Sequence, residues 1–357
     1  MKLARFVPAL VISGVILMAC GGSSGGGTAA KKIALLLPEA TTARYDTKDM
    51  PYFRDKLKSL CSDCQLIYSN AKQDAPTQQT QAEAAITNGA SVIVLDPVDG
   101  AAAAAIVTKA KAANIPVISY DRLILNTGDL NYYLSFDNAA VGALQGNALL
   151  TAMGSVTNPT VVEINGDPAD NNAKLFKQGA HSVLDGKVTF FKEYDTPGWK
   201  PDNAKTEMQG ALVALGSKKL NGVLAANDGT AGGAIAAMKA AGLKPLPPIT
   251  GQDAELAAIQ RIVAGDQTMT VYKAIKAEAE AAAQLAYDLA FGVAVPSSMT
   301  NGKTVNNGKA DIPSVLLTPV AVTKANIETT VVADGFWTAA DICTSQYASA
   351  CAAAGIS

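Results

Sequence analysis

The regular alternation of short apolar runs with helical segments is the feature that most restricts how this chain can fold. From Lys32 onward the apolar runs are KIALLLP, CQLIYSN, SVIVLDP, PVISYDR and YYLSFDN. After Asn138 the pattern starts again with TVVEINGD, VTFFKEYD, NGVLAAND, PPITGQD and QTMTVYK. Continuous apolar runs separated by helices are typical of parallel strands that are buried on both faces. Two such arrays predict an α/β fold with two Rossmann-like, doubly wound lobes.

The elements that remain after the second array suggest how the chain divides between the lobes. With 357 residues the chain is long enough for two domains. An alanine-rich helix and the run IPSVLLTPVAV follow the second array, so we expect the chain to cross back between the lobes. The first lobe is therefore predicted at residues 32–138 plus about 276–311, and the second at residues 139–275 plus about 312–357.

The first residues are predicted to be an export signal and not part of the fold. A basic start precedes an apolar run from Phe6 to Ala19, which is shorter than the roughly 20 residues that span a bilayer. The run ends in LMAC, which resembles a lipoprotein box, so residues 1–20 are interpreted as a lipoprotein signal peptide ending at Cys20. An ordinary secretion signal is the alternative. Residues 21–31 are predicted to be a flexible tether. We therefore expect an exported, lipid-anchored protein on the extracytoplasmic face of a bacterial membrane.

The four remaining cysteines are expected to form two disulfides, because an exported protein meets an oxidising environment. Cys61 and Cys64 form the sequence CSDC, and Cys343 lies close to Cys351. A CxxC pair can also serve redox catalysis or half of a metal site. A redox pair sits at a helix N-terminus, whereas CSDC follows an amphipathic segment, and the sequence has no second CxxC. Structural disulfides are therefore the preferred interpretation.

Charge and histidine content argue against several classes of function. The net charge is −2 and no basic cluster is present, so the sequence gives no support for nucleic-acid binding. His181 is the single histidine, which argues against a zinc site built on imidazoles and leaves a Ser-His-Asp triad only if that residue serves in it. No metal and no cofactor are expected.

Polar side chains follow many of the predicted strands, where ligands of open α/β sheets bind. They are Asp121, Arg122, Asp137, Asn138, Asp167, Asn227, Asp228, Asp253 and Lys273, with Asp170, Asn171 and Asn172 at the start of a helix. Helix caps and turns account for many of the aspartates and asparagines, but cations such as Arg122 and Lys273 are poor caps. Paired acids, amides and cations match the hydroxyl groups of a sugar, which both donate and accept hydrogen bonds. Trp199 and Tyr45, each in a loop, could cover the apolar face of the ring.

Six motifs in a fixed order make the resemblance to a known family specific. They are YDR, SFDNAAVGALQG, DNNAKLFKQG, AANDGTAGGAIAAM, GQDAELAAIQRIVAGDQTMTVYK and LLTPVAV, and the similarity runs from about Lys32 to Phe336. Together they resemble the xylose-binding branch of the bacterial periplasmic sugar-binding proteins, which feed ATP-driven importers. The resemblance implies a type I periplasmic binding protein fold with a hinge and a ligand cleft between the lobes. It implies sugar contacts from Arg44, Tyr45, Asp121, Arg122, Asn172, Trp199, Asn227, Asp253 and Lys273.

The resemblance also implies partners: a monosaccharide and the membrane permease of an ABC importer, with the protein expected to be a monomer. Xylose is the preferred sugar. The alternative is a binding protein for glucose, arabinose or another aldose that also serves a membrane sensor. Tyr45 stands where the branch has tryptophan, and the preceding loop adds Glu39 as a candidate contact. Asn171 is a further candidate that could instead be structural. The CSDC pair, the lipid anchor and the tail past Phe336 lie outside the resemblance, and Trp337 in that tail is expected to respond little to ligand.

Three rival functions are less consistent with the sequence. A glycosidase needs an acid of raised pKa, whereas Asp121 and Asp253 are each expected to lie beside a cation that keeps them ionised. The segment NDGTAGG matches neither phosphate-binding glycine motif. A sugar-responsive transcription regulator would need a helix-turn-helix where this chain has an export signal.

Overall fold

The computed structural model describes residue 1 and residues 30–356. The predicted signal peptide, its cysteine Cys20 and most of the tether therefore lie outside the described residues, apart from Met1. Within the described range, no helix has both the length and the apolar character needed to cross a membrane.

Strands and helices alternate along the chain as the apolar pattern predicts. The strands are β1 (Lys32–Leu37), β2 (Gln65–Asn70), β3 (Val92–Leu95), β4 (Val117–Tyr120), β5 (Tyr132–Phe136), β6 (Thr160–Ile164), β7 (Thr189–Tyr194), β8 (Gly222–Ala225), β9 (Met269–Tyr272), β10 (Thr304–Asn306), β11 (Asp311–Leu317) and β12 (Val320–Thr323). The helices are α1 (Met50–Leu60), α2 (Ala75–Thr87), α3 (Ala104–Ala112), α4 (Asn138–Met153), α5 (Asn171–Leu184), α6 (Pro201–Leu215), α7 (Asp228–Ala240), α8 (Leu256–Ala264), α9 (Ile275–Phe291), α10 (Ser297–Thr300), α11 (Ala339–Ile342) and α12 (Ala348–Ala354). Two short helical turns, Tyr45–Asp49 and Pro197–Trp199, each carry one aromatic side chain of the candidate site.

The first lobe is built on a seven-stranded sheet in the order β10-β11-β5-β4-β3-β1-β2. Every pairing in it is parallel except that between β10 and β11. The residues of β3 and β4 are all buried, as expected for parallel strands covered on both faces by helices. Helix α9 packs its alanines Ala279, Ala282, Ala283 and Ala286 against β1 and β3, so the alanine-rich sequence permits close packing of a helix on the sheet.

The second lobe contains a parallel sheet in the order β7-β6-β8 and an antiparallel pair of β9 with β12. A parallel bridge between Val223 and Ile249 extends the first of these sheets towards the second. Helices α6 and α7 pack around an apolar cluster that includes Val162, Met208 and Met238. The prediction of an α/β fold with two doubly wound lobes is confirmed.

The pairing of strand β11 indicates where the chain leaves the first lobe. It pairs with β5 in parallel, with Ser314 opposite Tyr133 and Leu317 opposite Phe136. The sequence predicts that the first lobe ends at about residue 311, and on that boundary β11 would belong to the second lobe. Because β11 is hydrogen-bonded within the first sheet, we propose that the third crossing follows Leu317. The other lobe boundaries stay a prediction.

The C-terminal tail and the cysteine pairs lie at the periphery of the lobes. The tail packs on α8 and β9 through Val331, Phe336 and Ile342. The Cα atoms of Cys61 and Cys64 lie 5.3 Å apart, and those of Cys343 and Cys351 lie 5.8 Å apart. Both separations suit a disulfide. Cys61 immediately follows the last residue of α1, so the CSDC pair lies at the C-terminal end of a helix, as expected.

Candidate functional site

One cavity collects all nine side chains for which the sequence predicts sugar contact. We call its first-lobe lining, Thr42, Arg44, Tyr45, Asp121 and Arg122, the first wall. The second wall comprises the remaining lining residues, Asp170, Asn172, Phe176, Trp199, Asn227, Gln252, Asp253 and Lys273. The two further candidates, Glu39 and Asn171, do not line the cavity.

Arg44 is fixed in the first wall by three buried carboxylates. Its Nε and Nη2 donate to Asp49 at 3.0 and 2.7 Å, and Nη2 also donates to Glu278 at 2.6 Å. Nη1 donates to the carboxylate of Asp121. Burial opposes the charge of Arg44, but Asp121, Asp49 and Glu278 outweigh it and raise the pKa of the guanidinium. The guanidinium is therefore held in one position, charged, before any ligand arrives.

Asp121 turns the chain out of β4 and joins the two walls. Its φ of +52° places it in the left-handed region, and its backbone N–H donates to the Leu134 carbonyl at 2.8 Å. The Nδ2 of Asn172, from the second wall, donates to Asp121 Oδ1 at 2.7 Å. Burial raises the pKa of Asp121, but the cations Arg44, Lys273 and Arg122 outweigh it, so that the net shift is downward. The carboxylate is thus ionised and able to accept hydrogen bonds from a hydroxyl group.

Arg122 reaches a different set of acids from that of Arg44. Its Nε lies 3.0 Å from Asp170 Oδ2 and 3.7 Å from Asp96 Oδ1, and its Nη2 lies 3.8 Å from Glu39 Oε1. Nη2 also donates to the Tyr45 hydroxyl at 3.3 Å. Within residues 30–356 Asp121 and Arg122 do not form an ion pair with each other, although they are neighbours in sequence. Each has its own partners and both face the cavity.

Glu39 supports the first wall from behind. It is fully buried, and its Oε2 accepts hydrogen bonds from the backbone N–H groups of Thr41 and Thr42, the latter at 2.9 Å. A carboxylate that caps consecutive backbone donors orders the loop carrying Arg44 and Tyr45. The structure therefore places Glu39 as a loop cap beneath Arg122 and not on the cavity surface.

Trp199 provides the aromatic surface of the second wall. Its indole Nε1 donates to Asp170 Oδ2 at 3.2 Å, and its ring contacts Phe176 edge to face at a centroid distance of 6.4 Å. The residue has a φ of +56° and is 4% exposed. A Cβ added to Gly166 would lie 1.9 Å from the Trp199 ring. Only glycine at position 166 leaves room for the indole in this orientation.

Two helix N-termini place the amides of the second wall. Asp170 caps α5 by accepting from the backbone N–H of Asn172 at 2.8 Å, so one residue caps the helix and also pairs with Arg122. Asn227 caps α7 in a capping box with Thr230, its Oδ1 accepting from the Thr230 N–H at 2.8 Å. Asp170 and Asn227 therefore cap helices and also line the cavity, whereas the sequence suggested capping as an alternative to ligand contact.

Lys273 and Asp253 complete the second wall at the end of β9. The Lys273 Nζ lies 3.0 Å from Asp253 Oδ1 and 3.8 Å from Asp121 Oδ2. Burial opposes the charge of Lys273, but Asp121 and Asp253 raise its pKa above the ordinary value. Asp253 has a φ of +91°, and its backbone N–H donates to the Val271 carbonyl at 2.9 Å.

Sequence reasoning did not select four residues that line the cavity: Thr42, Asp170, Phe176 and Gln252. Asp170 was explained as a helix cap, and that interpretation was incomplete. Phe176 lies four residues after Asn172 on α5, so the helical period puts the two on one face. Gln252 directly precedes Asp253 in the sequence GQDAE. The position of Thr42 gives no comparable signal.

The single histidine lies outside the cavity in a network of its own. The His181 ring contacts Glu163 through Nε2 at 3.1 Å and Asp185 through Nδ1 at 2.7 Å. Glu163, His181 and Glu193 offer ligand atoms within 4.8 Å of one another, a grouping that could hold a metal ion. Lys177 already places its ammonium 2.7 Å from Glu193 and 3.9 Å from Glu163. The Lys177 ammonium thus already occupies the side of this grouping that an ion would share with Glu193.

Comparison with known proteins gives consistent matches over most of the chain. The model of the periplasmic binding protein domain matches residues 33–293. The chain is 42% identical to the D-xylose-binding periplasmic protein of Escherichia coli, over 85% of this chain and 90% of that protein. It is 38% identical to the protein of the same description in Haemophilus influenzae, over 86% and 90%.

Solved structures of transporter solute-binding proteins superpose closely on this fold. That of a Chloroflexus aurantiacus protein in complex with D-glucose gives a TM-score of 0.78 at 30% identity, covering 87% of this chain and 98% of that chain. A Clostridium phytofermentans protein with bound β-D-glucose gives 0.79 at 28% identity, covering 87% and 100%.

Proposed function

The chain belongs to the periplasmic binding protein family, and from that premise we propose that it captures a monosaccharide, D-xylose before other aldoses, between its two lobes for an ABC importer. The observation that carries the proposal is the convergence of carboxylic acids, fixed cations, amides and an indole on one cavity. Relatives named for D-xylose binding share 42% and 38% of their aligned residues with this chain.

The chemistry of the cavity suits a neutral polyol. A sugar hydroxyl donates one hydrogen bond and accepts others, so it needs a carboxylate or amide oxygen together with an N–H donor. Asp121 and Asp253 offer acceptors, and Arg44, Arg122 and Lys273 offer donors. The cations are already balanced by acids, so an uncharged ligand leaves the charge balance of the cavity intact. The indole of Trp199 offers an apolar surface to the C–H face of a pyranose ring.

Binding and not catalysis is the proposed outcome of this arrangement. A glycosidase needs one carboxylic acid that is protonated near neutral pH. The pKa of Asp121 is lowered because the cations Arg44, Lys273 and Arg122 outweigh the effect of its burial. Asp253 lies 3.0 Å from the Lys273 ammonium. Burial raises the pKa of Asp170, but the oxygen that faces Arg122 at 3.0 Å also accepts from the Trp199 indole and is not available as a proton donor. An assay for hydrolysis of aryl xylosides and glucosides should therefore give no turnover above the uncatalysed rate.

Calorimetric titration of the mature protein with D-xylose, D-glucose, L-arabinose and D-ribose tests the proposal. We expect tight binding of one molecule per chain, with D-xylose bound best. An exposed pair far from the cavity offers a matched control: Asp129→Asn, which alters a contact with Lys111 at 3.6 Å, should leave the affinity unchanged. Failure of all four sugars to bind would refute the proposed function.

Glucose is the second candidate ligand. The two solute-binding proteins compared above were solved with bound glucose. In addition, Tyr45 stands where the xylose-binding branch has tryptophan, which changes the volume of the first wall. Arabinose or another aldose belongs to the same alternative. A D-glucose affinity above that for D-xylose in the same titration would select it.

The cellular setting is part of the proposal. Export fits the periplasmic family, and we propose that lipidation at Cys20 anchors a monomer on the extracytoplasmic face beside its permease. Delivery to a membrane sensor is a further candidate role. We also propose that Cys61–Cys64 and Cys343–Cys351 are oxidised in the exported protein. Mass spectrometry of the mature N-terminus separates a lipidated Cys20 from an ordinary signal cleavage.

A further inference from the structure

The helical turn that carries Arg44 and Tyr45 also carries a cation that reaches the C-terminal tail. Lys48 Nζ donates to the Phe336 carbonyl at 2.7 Å. The same ammonium lies 4.1 Å from the centre of the Trp337 ring and 4.8 Å from that of Phe336. We call the group of Lys48, Phe336 and Trp337 the clasp. Trp337, which the sequence predicts to respond little to ligand, therefore lies close to the turn that follows Arg44.

The two sides of the clasp are attached to different lobes. Lys48 lies in the turn Tyr45–Asp49, which runs directly into α1, and α1 packs on α9 and the first sheet. On the other side, Trp337 Nε1 donates to the Ala254 carbonyl at 2.8 Å, one residue after Asp253 of the second wall. The Phe336 ring contacts Tyr272 of β9 edge to face at 5.1 Å. A rotation that separates the lobes must therefore move Lys48 relative to the two rings.

The clasp adjoins the cavity without lining it. A second cavity has the three clasp residues on its lining together with Arg44 and Asp253, which belong to the first and second walls. The lining of the sugar cavity contains none of the three among the residues described. The clasp therefore lies beside the sugar cavity, next to one residue of each wall, Arg44 and Asp253.

We propose that the clasp is a positioning device that holds the lobes closed and so prolongs the residence of the sugar without touching it. This inference rests on the proposed function, because it concerns the stability of the ligand-bound state. Hinge closure around a ligand is the motion typical of periplasmic binding proteins. A contact that exists only in the closed state favours that state, and the affinity for ligand rises by the same factor. A cation–π interaction is stronger when the cation is partly desolvated, and Lys48 is half-buried.

Substitution of Lys48 tests the proposal by separating dissociation from folding. Lys48→Met keeps the aliphatic stem and removes the charge and the hydrogen-bond donor. In stopped-flow measurements with D-xylose we expect the dissociation rate to rise about fivefold, while the association rate changes less than about twofold. The melting temperature without sugar should stay within about 1 °C of the wild type. Lys48→Arg, which keeps a cation over the rings, should restore most of the slow dissociation.

A matched control lies within the second lobe. Lys218 sits 5.4 Å from the centre of the Phe191 ring, so Lys218→Met removes a similar contact that does not cross between the lobes. It should leave both rate constants unchanged. Unchanged dissociation in Lys48→Met, or a lower melting temperature without sugar at unchanged affinity, would overturn the clasp and make Lys48 a static brace. A wild-type protein that binds no sugar would overturn the proposed function and the clasp together.

Discussion

The two walls of the cavity are ordered by different forces. In the first wall, Arg44 and Arg122 are held by carboxylates buried behind them, Asp49, Glu278 and Asp96 among these. In the second wall, Asn172 and Asn227 are placed by helix caps, and Trp199 by a left-handed backbone and the space above Gly166. Charge pairing orders the first wall, whereas backbone geometry orders the amides and the indole of the second, which has one buried ion pair of its own, Lys273 with Asp253.

This difference predicts how substitutions should act. A residue of the first wall serves folding and binding together, because removing it leaves a buried charge without its partner. In the second wall, Asn172 and Trp199 can change while the fold persists, because their own backbone hydrogen bonds survive the change. Lys273 and Asp253 resemble the first wall, because each is the buried partner of the other. Loss of stability should therefore accompany loss of affinity at the buried ion pairs and be smaller at Asn172 and Trp199.

The largest effect is expected from Arg44→Ala. The change leaves Asp49, Asp121 and Glu278 buried without their common cation. Removing one partner of a buried ionic group costs about 3–5 kcal/mol, so the free energy of unfolding without sugar should fall by roughly that amount. Urea unfolding measures it. The exposed Arg54, which pairs with Asp55 at 2.8 Å, provides the control: Arg54→Ala should leave the urea unfolding curve almost unchanged.

Asp121→Asn and Arg122→Ala should each weaken D-xylose binding by at least roughly tenfold. Hydrogen bonds to charged groups contribute about 1.5–3 kcal/mol each, and about 1.4 kcal/mol corresponds to a factor of ten. Titration calorimetry gives the affinity, and thermal melting without sugar gives the cost to folding. If the two residues only brace the loop, both variants will melt earlier while retaining wild-type affinity.

Gly166→Ala tests the second wall. The added methyl group would lie 1.9 Å from the Trp199 ring, so the indole must move. Overpacking costs about 1–3 kcal/mol, and we expect roughly a fivefold loss of affinity together with an altered tryptophan emission spectrum. Trp199→Ala should reduce the fluorescence change that sugar produces, leaving the part that comes from Trp337 in the clasp. A fully wild-type response in Trp199→Ala would place the aromatic contact elsewhere.

A partly buried acid behind the second wall, Glu255, should make stability depend on pH. Burial and the carboxylates of Asp228 and Asp253 raise the pKa of Glu255 from 4.5 to about 8, with Arg261 opposing and Glu39 adding to the shift. Between these values the folded chain keeps a proton that the unfolded chain releases. Its contribution to stability is complete below pH 4.5 and is lost as the pH rises through about 8.

Glu255→Gln should therefore flatten the decline in melting temperature between pH 5 and pH 8, roughly the interval in which the folded and unfolded chains differ in protonation. The matched change Glu280→Gln on α9 should leave the pH profile as it is in the wild type. An identical slope in Glu255→Gln and the wild type would contradict the assignment of the proton to Glu255.

The smallest effect is expected outside both walls, at the cysteines. If Cys61–Cys64 and Cys343–Cys351 are both oxidised, titration of the unfolded, unreduced protein should find no reactive thiol other than any at Cys20. Neither pair contributes to the cavity lining, so mild reduction should leave sugar affinity unchanged. Two or more reactive thiols per chain would disprove the pairing.

The surface of the site could be predicted from the sequence, whereas the layer behind it could not. Polar residues at strand ends, together with the resemblance, identified the nine predicted contacts, because parallel strands bring their carboxyl ends to one edge. Glu278 gave no such signal: it lies 234 residues from Arg44 within an alanine-rich helix. Asp96 follows β3 and is fully buried below Arg122, and sequence alone does not separate it from a turn residue.

The fold was predictable to the level of its two arrays but not to every crossing. The apolar runs gave the strands because buried parallel strands are continuously apolar. Strand β11 was the exception, since the same apolar run can complete either sheet. The role of the tail was also missed, because a cation–π contact between residues 48 and 337 leaves no periodic pattern.

The position of β11 has a consequence for the order in which the protein can be assembled. Its residues, 311–317, complete the sheet beside β5, which is formed from residues 132–136. Synthesis proceeds from the N-terminus. One side of β5 therefore stays unpaired until residues 311–317 have been added and have reached it. Such distant pairing raises contact order and slows folding, and an unpaired strand invites aggregation while it waits. The second lobe is contiguous from β6 to β9, but β9 also waits for its partner β12, which follows β11 in the chain. Both lobes are therefore completed only by the last part of the polypeptide.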